Sequence, residues 1–240
     1  MKKLTALLLV VILALGMLAS CETSDPSKKS EGVLTYAEYV AAELETEVVI
    51  EAYIQAVQAY NEQYGNTSLY LADPDGGYFV YRYACTAEEY AKLTRGTKVK
   101  VTGTKTEWGG WVEIAEGTAK VEVIDEPHWV WSALDVTDKI GTDELLDNQN
   151  RLCAFKGMEI VSISPKGGSF GDDIYVTAKL GENQIDFCVE ADLTNAESDL
   201  YKMFTAESGA LKVGDVVDIE GYLVVYQNAA NPHVTKIVKK

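Results

Sequence analysis

Histidine is almost missing from this sequence, which has only His128 and His233, and arginine is confined to Arg82, Arg95 and Arg151. Catalysis by a Ser or Cys nucleophile usually draws on an imidazole base, and no GxSxG, HExxH, GxGxxG or Walker pattern is present. A barrel-borne nuclease site needs arginines grouped with acids around a metal, and these arginines are scattered. Cysteine is sparse as well. Cys21, Cys85, Cys153 and Cys188 include no CxxC pair, so a Cys/His zinc site has almost no ligands to draw on. No catalytic residue, metal or cofactor is therefore expected, and a metal-dependent phosphodiesterase is the weakest of the functional readings. Basic charge is also short. The 21 Lys+Arg stand against 37 Asp+Glu, for a net charge of -16, opposite in sign to a domain built to track phosphates. With 5 Pro, 47% hydrophobic residues and 240 residues in all, the chain is globular, with room for one large or two small domains.

The start of the chain carries the strongest local signal. Lys2-Lys3 precedes an apolar run from Leu4 to Leu18, followed by Ala19-Ser20-Cys21. A basic end, a short apolar segment and small residues before a cleavage point make a secretory signal, too short for a comfortable membrane span. Leu18-Ala19-Ser20-Cys21 resembles the bacterial lipobox, which implies lipidation at Cys21, a membrane partner through that N-terminal anchor, and a place in the bacterial cell envelope facing outside the cytoplasm. Residues 1–20 are read as the lipoprotein signal peptide. Residues 21–33 are polar, cannot build a core, and read as a flexible tether. An oxidising compartment permits a disulfide among Cys85, Cys153 and Cys188, but three scattered thiols are no framework.

An internal repeat organises the rest. Leu93, Gly96, Val99, Val101 and Gly103 are matched at constant offset by Leu211, Gly214, Val217, Ile219 and Gly221. In each copy a glycine turn opens an alternating strand, and a second glycine marks a bend. Thr86-x-x-Glu89 and Thr194-x-x-Glu197 are capping-box patterns that place a short helix before each strand. Hairpins are expected around Asp73–Gly77 and Gly181–Asn183, and long first strands over Glu47–Val57 and Leu152–Ile163. Asp73-x-Asp75-Gly76 opens like a calcium loop but lacks the remaining ligands, so it reads as a turn. Acid pairs such as Asp172-Asp173 read as solvated surface.

Each copy thus runs strand, strand, strand, helix, strand, strand. This order resembles bacterial OB-fold domains, particularly the OB modules of exported lipoproteins and the periplasmic bacterial OB-fold family. The fold class expected is mainly β: two tandem five-stranded OB-fold-like Greek-key barrels, each with a short helix between strands 3 and 4. Domain 1 covers 34–124, a linker 125–141, and domain 2 142–240; one larger β-sandwich is the alternative, which the offset repeat disfavours. Short elements at Thr35–Glu38 and Thr142–Leu145 precede the barrels.

The resemblance implies ligand binding on strands 2 and 3, between the 1–2 and 4–5 loops. In domain 1 that region holds Tyr60, Tyr64, Tyr70, Tyr78, Trp108 and Trp111, the candidate ligand-binding residues. Flat rings beside Asn and Gln suit stacking on sugars or bases; the alternative is that the same rings plug the barrel ends. Domain 2 has fewer rings in its loops, so a site there is expected to be weaker or different. Lys92, Arg95, Lys98, Lys100 and Lys105 form the one basic run, with Lys98 and Lys100 expected to face out opposite Val99 and Val101. The leading functional reading is a lipid-anchored, non-catalytic binding or adaptor protein for a glycan, peptide or envelope protein. The alternative is a single-stranded nucleic-acid-binding OB protein at the cell surface.

Overall fold

The computed structural model describes residues 25–206 and 210–240. The signal peptide and Cys21 lie outside the described residues, among which no helix is long and apolar enough to cross a membrane.

The first half runs α1 (Tyr36–Ala41), β1 (Thr46–Val57), β2 (Asn66–Ala72), β3 (Gly77–Ala84), α2 (Ala87–Tyr90), β4 (Lys98–Trp108), β5 (Trp111–Ile114) and β6 (Lys120–Ile124). Its strand order is β1-β2-β3-β5-β4, and β1 pairs again with β4, closing a five-stranded barrel of OB type. The β6 strand continues the β5 edge along the other end of β4. The second half runs β7 (Leu134–Asp135), β8 (Leu152–Pro165), β9 (Ile174–Leu180), β10 (Asn183–Val189), α3 (Ala191–Thr194), α4 (Asp199–Thr205), β11 (Val216–Tyr222), β12 (Val225–Tyr226), β13 (Ala229–Ala230) and β14 (His233–Lys239). Its sheet is ordered β11-β14-β10-β9-β8-β7, with β11 also pairing β8.

The repeated motif has the same local geometry in both copies. Gly96 and Gly214 sit at φ +90° and +89°, a left-handed conformation that glycine adopts without strain. Gly96 N–H donates to Ile54 O at 2.7 Å and Gly214 N–H to Ile160 O at 2.8 Å. Each turn therefore pins the start of its strand to the long first strand. Leu93 and Leu211, Val99 and Val217, Val101 and Ile219 are all buried. At the second glycine of each pair, a Cβ would stand 2.4 Å from Ile114 Cγ2 at Gly103 and 2.7 Å from His233 O at Gly221.

Helix caps agree with the sequence in one copy only. Thr86 and Glu89 form the expected capping box on α2. In the second copy Thr194 ends α3 instead of starting a helix, and Asn195 turns the chain at φ +64°. The next helix, α4, is capped by Ser198, whose Oγ accepts the Tyr201 N–H at 3.1 Å. The asparagine turn displaces the cap by one short element. Asp73 behaves as a turn residue: one carboxylate oxygen accepts the N–H groups of Asp75 and Gly76, and the other accepts Tyr78 Oη–H.

One expectation about the connecting segments is corrected. The tether does not stay free up to residue 33: Lys29 pairs with the fully buried Asp73, and Ser30 N–H donates to Glu51. A buried carboxylate needs a counter-charge, and the nominal tether supplies it. The 125–141 linker likewise packs. Trp129 lies against Tyr53 at 5.4 Å, Trp131 N–H donates to Gln55, Val136 is fully buried, and β7 pairs with β8. These two segments cover the outer face of β1 and β4. Lys98 consequently is not the exposed base expected; it is 3% exposed and paired with Glu51 and Glu126. Lys105 is buried too, donating to the carbonyls of Tyr39, Val40 and Ala42 at the C-terminal end of α1. The basic run therefore forms no continuous patch.

Candidate ligand groove

Alternation along β2 and β3 decides which rings meet. Tyr70 pairs across with Phe79, and Leu71 with Tyr78, so Tyr70 and Tyr78 point to opposite faces. Tyr78 enters the first barrel's core beside Leu71 and Val80. Tyr70 and Phe79 point outward, yet both are buried, because the second half of the chain sits on them. Tyr70 stacks on Tyr222 at 4.5 Å. Trp111 stacks on Phe79 at 4.1 Å, and its indole N–H donates to Asn150 at 2.6 Å. The face on which an OB barrel usually takes its ligand is here occupied by the chain's own second half.

The six ring positions thus do not share one groove. Tyr70, Tyr78 and Trp111 are buried; Tyr60 is half-buried, with its hydroxyl on Cys85 O and its ring against Tyr90. Tyr64 and Trp108 are 69% and 60% exposed. Trp108 precedes the Gly109-Gly110 turn, which docks on the second half: Asn228 N–H donates to Gly109 O at 2.9 Å. That contact brings Trp108 to within 5.6 Å of the Tyr226 ring.

These two rings stand over a cavity of about 860 Å³ on the outer face of β8, β9 and β10. Its floor is built from cross-strand rows. Ser162, Thr177 and Asp186 are register partners in sequence across the three strands, as are Ser164, Tyr175 and Cys188, with His233 of β14 next to Cys188. Inward residues between them, such as Val176 and Phe187, fill the core. Lys166 and Asp173 close one end, where Lys166 also pairs with Asp172. Tyr81 and Trp111 of the first barrel form a wall.

A polar cluster lies where the halves meet. Glu190 accepts from Gln58 at 2.7 Å and contacts His233 Nδ1 at 3.1 Å, and the same nitrogen is 2.7 Å from Tyr70 Oη. Burial acts to raise the Glu190 carboxyl, but the hydrogen bond and charge of His233, with bonds from Gln58 and Tyr70, outweigh it and hold its pKa below the usual range. Burial pushes Tyr70 well above the ordinary phenol. The Cys188 thiol is likewise raised by burial and then by Asp173 and Glu190, which suppresses the thiolate needed for reactivity. Cys85, Cys153 and Cys188 are all free and buried.

The groove was missed in the sequence because its rings come from both halves. Tyr175 was visible as the outward residue between Ile174 and Val176, but nothing local tied it to Trp108.

Fold and groove together define a mainly β chain with an OB-type closed barrel and an open, ring-rimmed cleft beside it. No family model matches the chain, and none of the curated proteins matches it. Among solved structures it is similar to a murine DNA-binding protein bound with double-stranded DNA (TM-score 0.40, 10% identity, covering 80% of this chain and 99% of that one). It is also similar to p202 HIN1 in complex with a 12-mer double-stranded DNA (0.35, 14%, 90% and 100%). A third is a replication protein A heterotrimer bound to single-stranded DNA (0.31, 12%, 81% and 49%). Likeness at this level concerns strand arrangement alone.

Proposed function

We propose that this chain is a non-catalytic binding protein made of two tandem OB-type barrels, and that its ligand is a glycan held in the groove of the second. The observation that carries the reading is the pairing of exposed rings with an acid-lined floor. Trp108, Tyr175 and Tyr226 offer flat faces, while the three acids Asp173, Asp186 and Glu190 outnumber the basic groups Lys166 and His233. Sugars present apolar ring faces and hydroxyl edges, which suit rings, serines and carboxylates. A polyanion would meet unfavourable charge there. On this reading the protein is held at the cell envelope by a lipid on Cys21, and Cys21→Ala should abolish the lipid mass and detergent partitioning.

Single-stranded nucleic acid is the second reading. OB barrels take oligonucleotides as well as oligosaccharides, the same rings can stack bases, and the similar solved structures include DNA-bound proteins. Tryptophan-fluorescence titration with oligosaccharides and with oligodeoxynucleotides, at low and physiological salt, separates the two. Saturable, salt-insensitive binding of sugars supports the glycan. Binding of DNA alone, weakening steeply with salt, would replace it with the second reading.

A further inference from the structure

Further hollows adjoin the groove on the first barrel. A cleft of about 170 Å³ on the first barrel shares Tyr81, Trp111 and Glu190 with it, and continues past the Gln58 and Asn61 side to Asn66 and Arg82. A third hollow then shares Asn66 and Arg82 with that cleft and ends at Tyr64. The polar side chains along the way are mostly amides and hydroxyls.

One backbone feature lies in the middle of this path. Register slips between Thr67 and Leu69 opposite β3, and Arg82 takes φ +44° within the strand, an uncommon conformation for a residue with a side chain. Bulges of this sort re-aim side chains beside binding sites, and strain of this kind persists only where surrounding structure enforces it. Here Arg82 N–H is held by Ser68 Oγ at 3.2 Å, and the guanidinium sits 4.9 Å over the Tyr81 ring. The bulge leaves Tyr81 on the wall of the large groove and Arg82 lining both smaller hollows.

Resting on the glycan reading, we propose that the site is a trough for a linear oligosaccharide, running from the Trp108–Tyr226 rings past Tyr81 and Arg82 to the exposed ring of Tyr64. A terminal sugar stacks at each end, and the chain between them crosses the junction of the two halves. Length is then the specificity determinant, because a short sugar occupies only the first ring pair.

Isothermal titration of the full chain with cello- and chito-oligosaccharides, from disaccharide to hexasaccharide, tests this. Affinity should rise by about tenfold or more with length. Tyr64→Ala and Arg82→Gly should each return the hexasaccharide toward the disaccharide value while leaving the disaccharide unchanged. Arg82→Gly relieves the positive φ, so its melting temperature should not fall, and Tyr64 is exposed; loss of fold does not confound either variant. Equal affinity at all lengths, or equal losses for short and long sugars, would overturn the trough but leave the glycan reading in place. Absence of binding to every sugar, with binding of a control oligodeoxynucleotide, would overturn both.

Discussion

Trp108 and Trp111 flank one glycine turn and have opposite fates. Trp111 is 8% exposed, stacked on Phe79 and bonded to Asn150, so Trp111→Ala should cost about 3–5 kcal/mol in denaturant unfolding. Trp108 is 60% exposed, and Trp108→Ala should stay within about 0.5 kcal/mol of the parent. Glu113 offers a second residue-scale test. Burial, then the neighbouring Glu116, lifts its carboxyl to about 7. The folded state therefore holds a proton that the unfolded state releases at lower pH, and stability falls as pH rises from about 4.5 to 7. Glu113→Gln should raise the melting temperature at pH 8, with the gain shrinking to nothing as the pH drops below about 4.5. A gain that does not change with pH would contradict this assignment.

At the scale of elements, caps and glycines carry the testable content. Thr86→Ala removes the capping box of α2 and should cost about 0.5–2 kcal/mol. In the second copy the same effect belongs to Ser198, so Ser198→Ala should destabilise by a similar amount and more than Thr194→Ala. Gly221→Val drives a Cβ toward His233 O and should exceed the roughly 0.5 kcal/mol of an ordinary surface change. The first barrel was legible at this scale. Alternation in Val99 and Val101, the turn at Asp73–Gly77 and the Thr86 box are local signals, and the structure follows them. The Thr194 box was not reliable, because a capping pattern says nothing of a turn at Asn195 just downstream. Lys98 misled for a related reason. Strand alternation predicts the direction of a side chain, but not whether a distant segment such as Lys28–Ser30 lies on top of it.

Over the whole molecule, the junction of the halves determines both stability and site. Tyr70, Phe79 and Trp111 belong to the same buried cluster as Phe155, Phe187 and Tyr222. Main-chain and side-chain bonds cross beside them, from Ala59 N–H to Asp192 O at 2.7 Å and from Val112 N–H to Gln149 Oε1 at 2.6 Å. A junction so apolar should make the full chain unfold in one transition, with Tyr222→Ala lowering that transition instead of splitting it; two resolved transitions in calorimetry would count against this. The candidate site was only partly legible for the same reason. Sequence reading named Tyr64 and Trp108, which the structure leaves exposed, among six ring candidates, yet it could not see that docking buries Tyr70 and Trp111 and joins Trp108 to Tyr226.

The most direct test of the groove assignment is calorimetric titration of Trp108→Ala/Tyr226→Ala beside the parent, using a cello- or chito-hexasaccharide that the parent binds. Ring stacking contributes roughly 1–3 kcal/mol per ring by analogy with bases, so the double variant should bind at least about tenfold more weakly with an unchanged melting temperature. Undiminished binding by the double variant would contradict the assignment of the ligand to this groove.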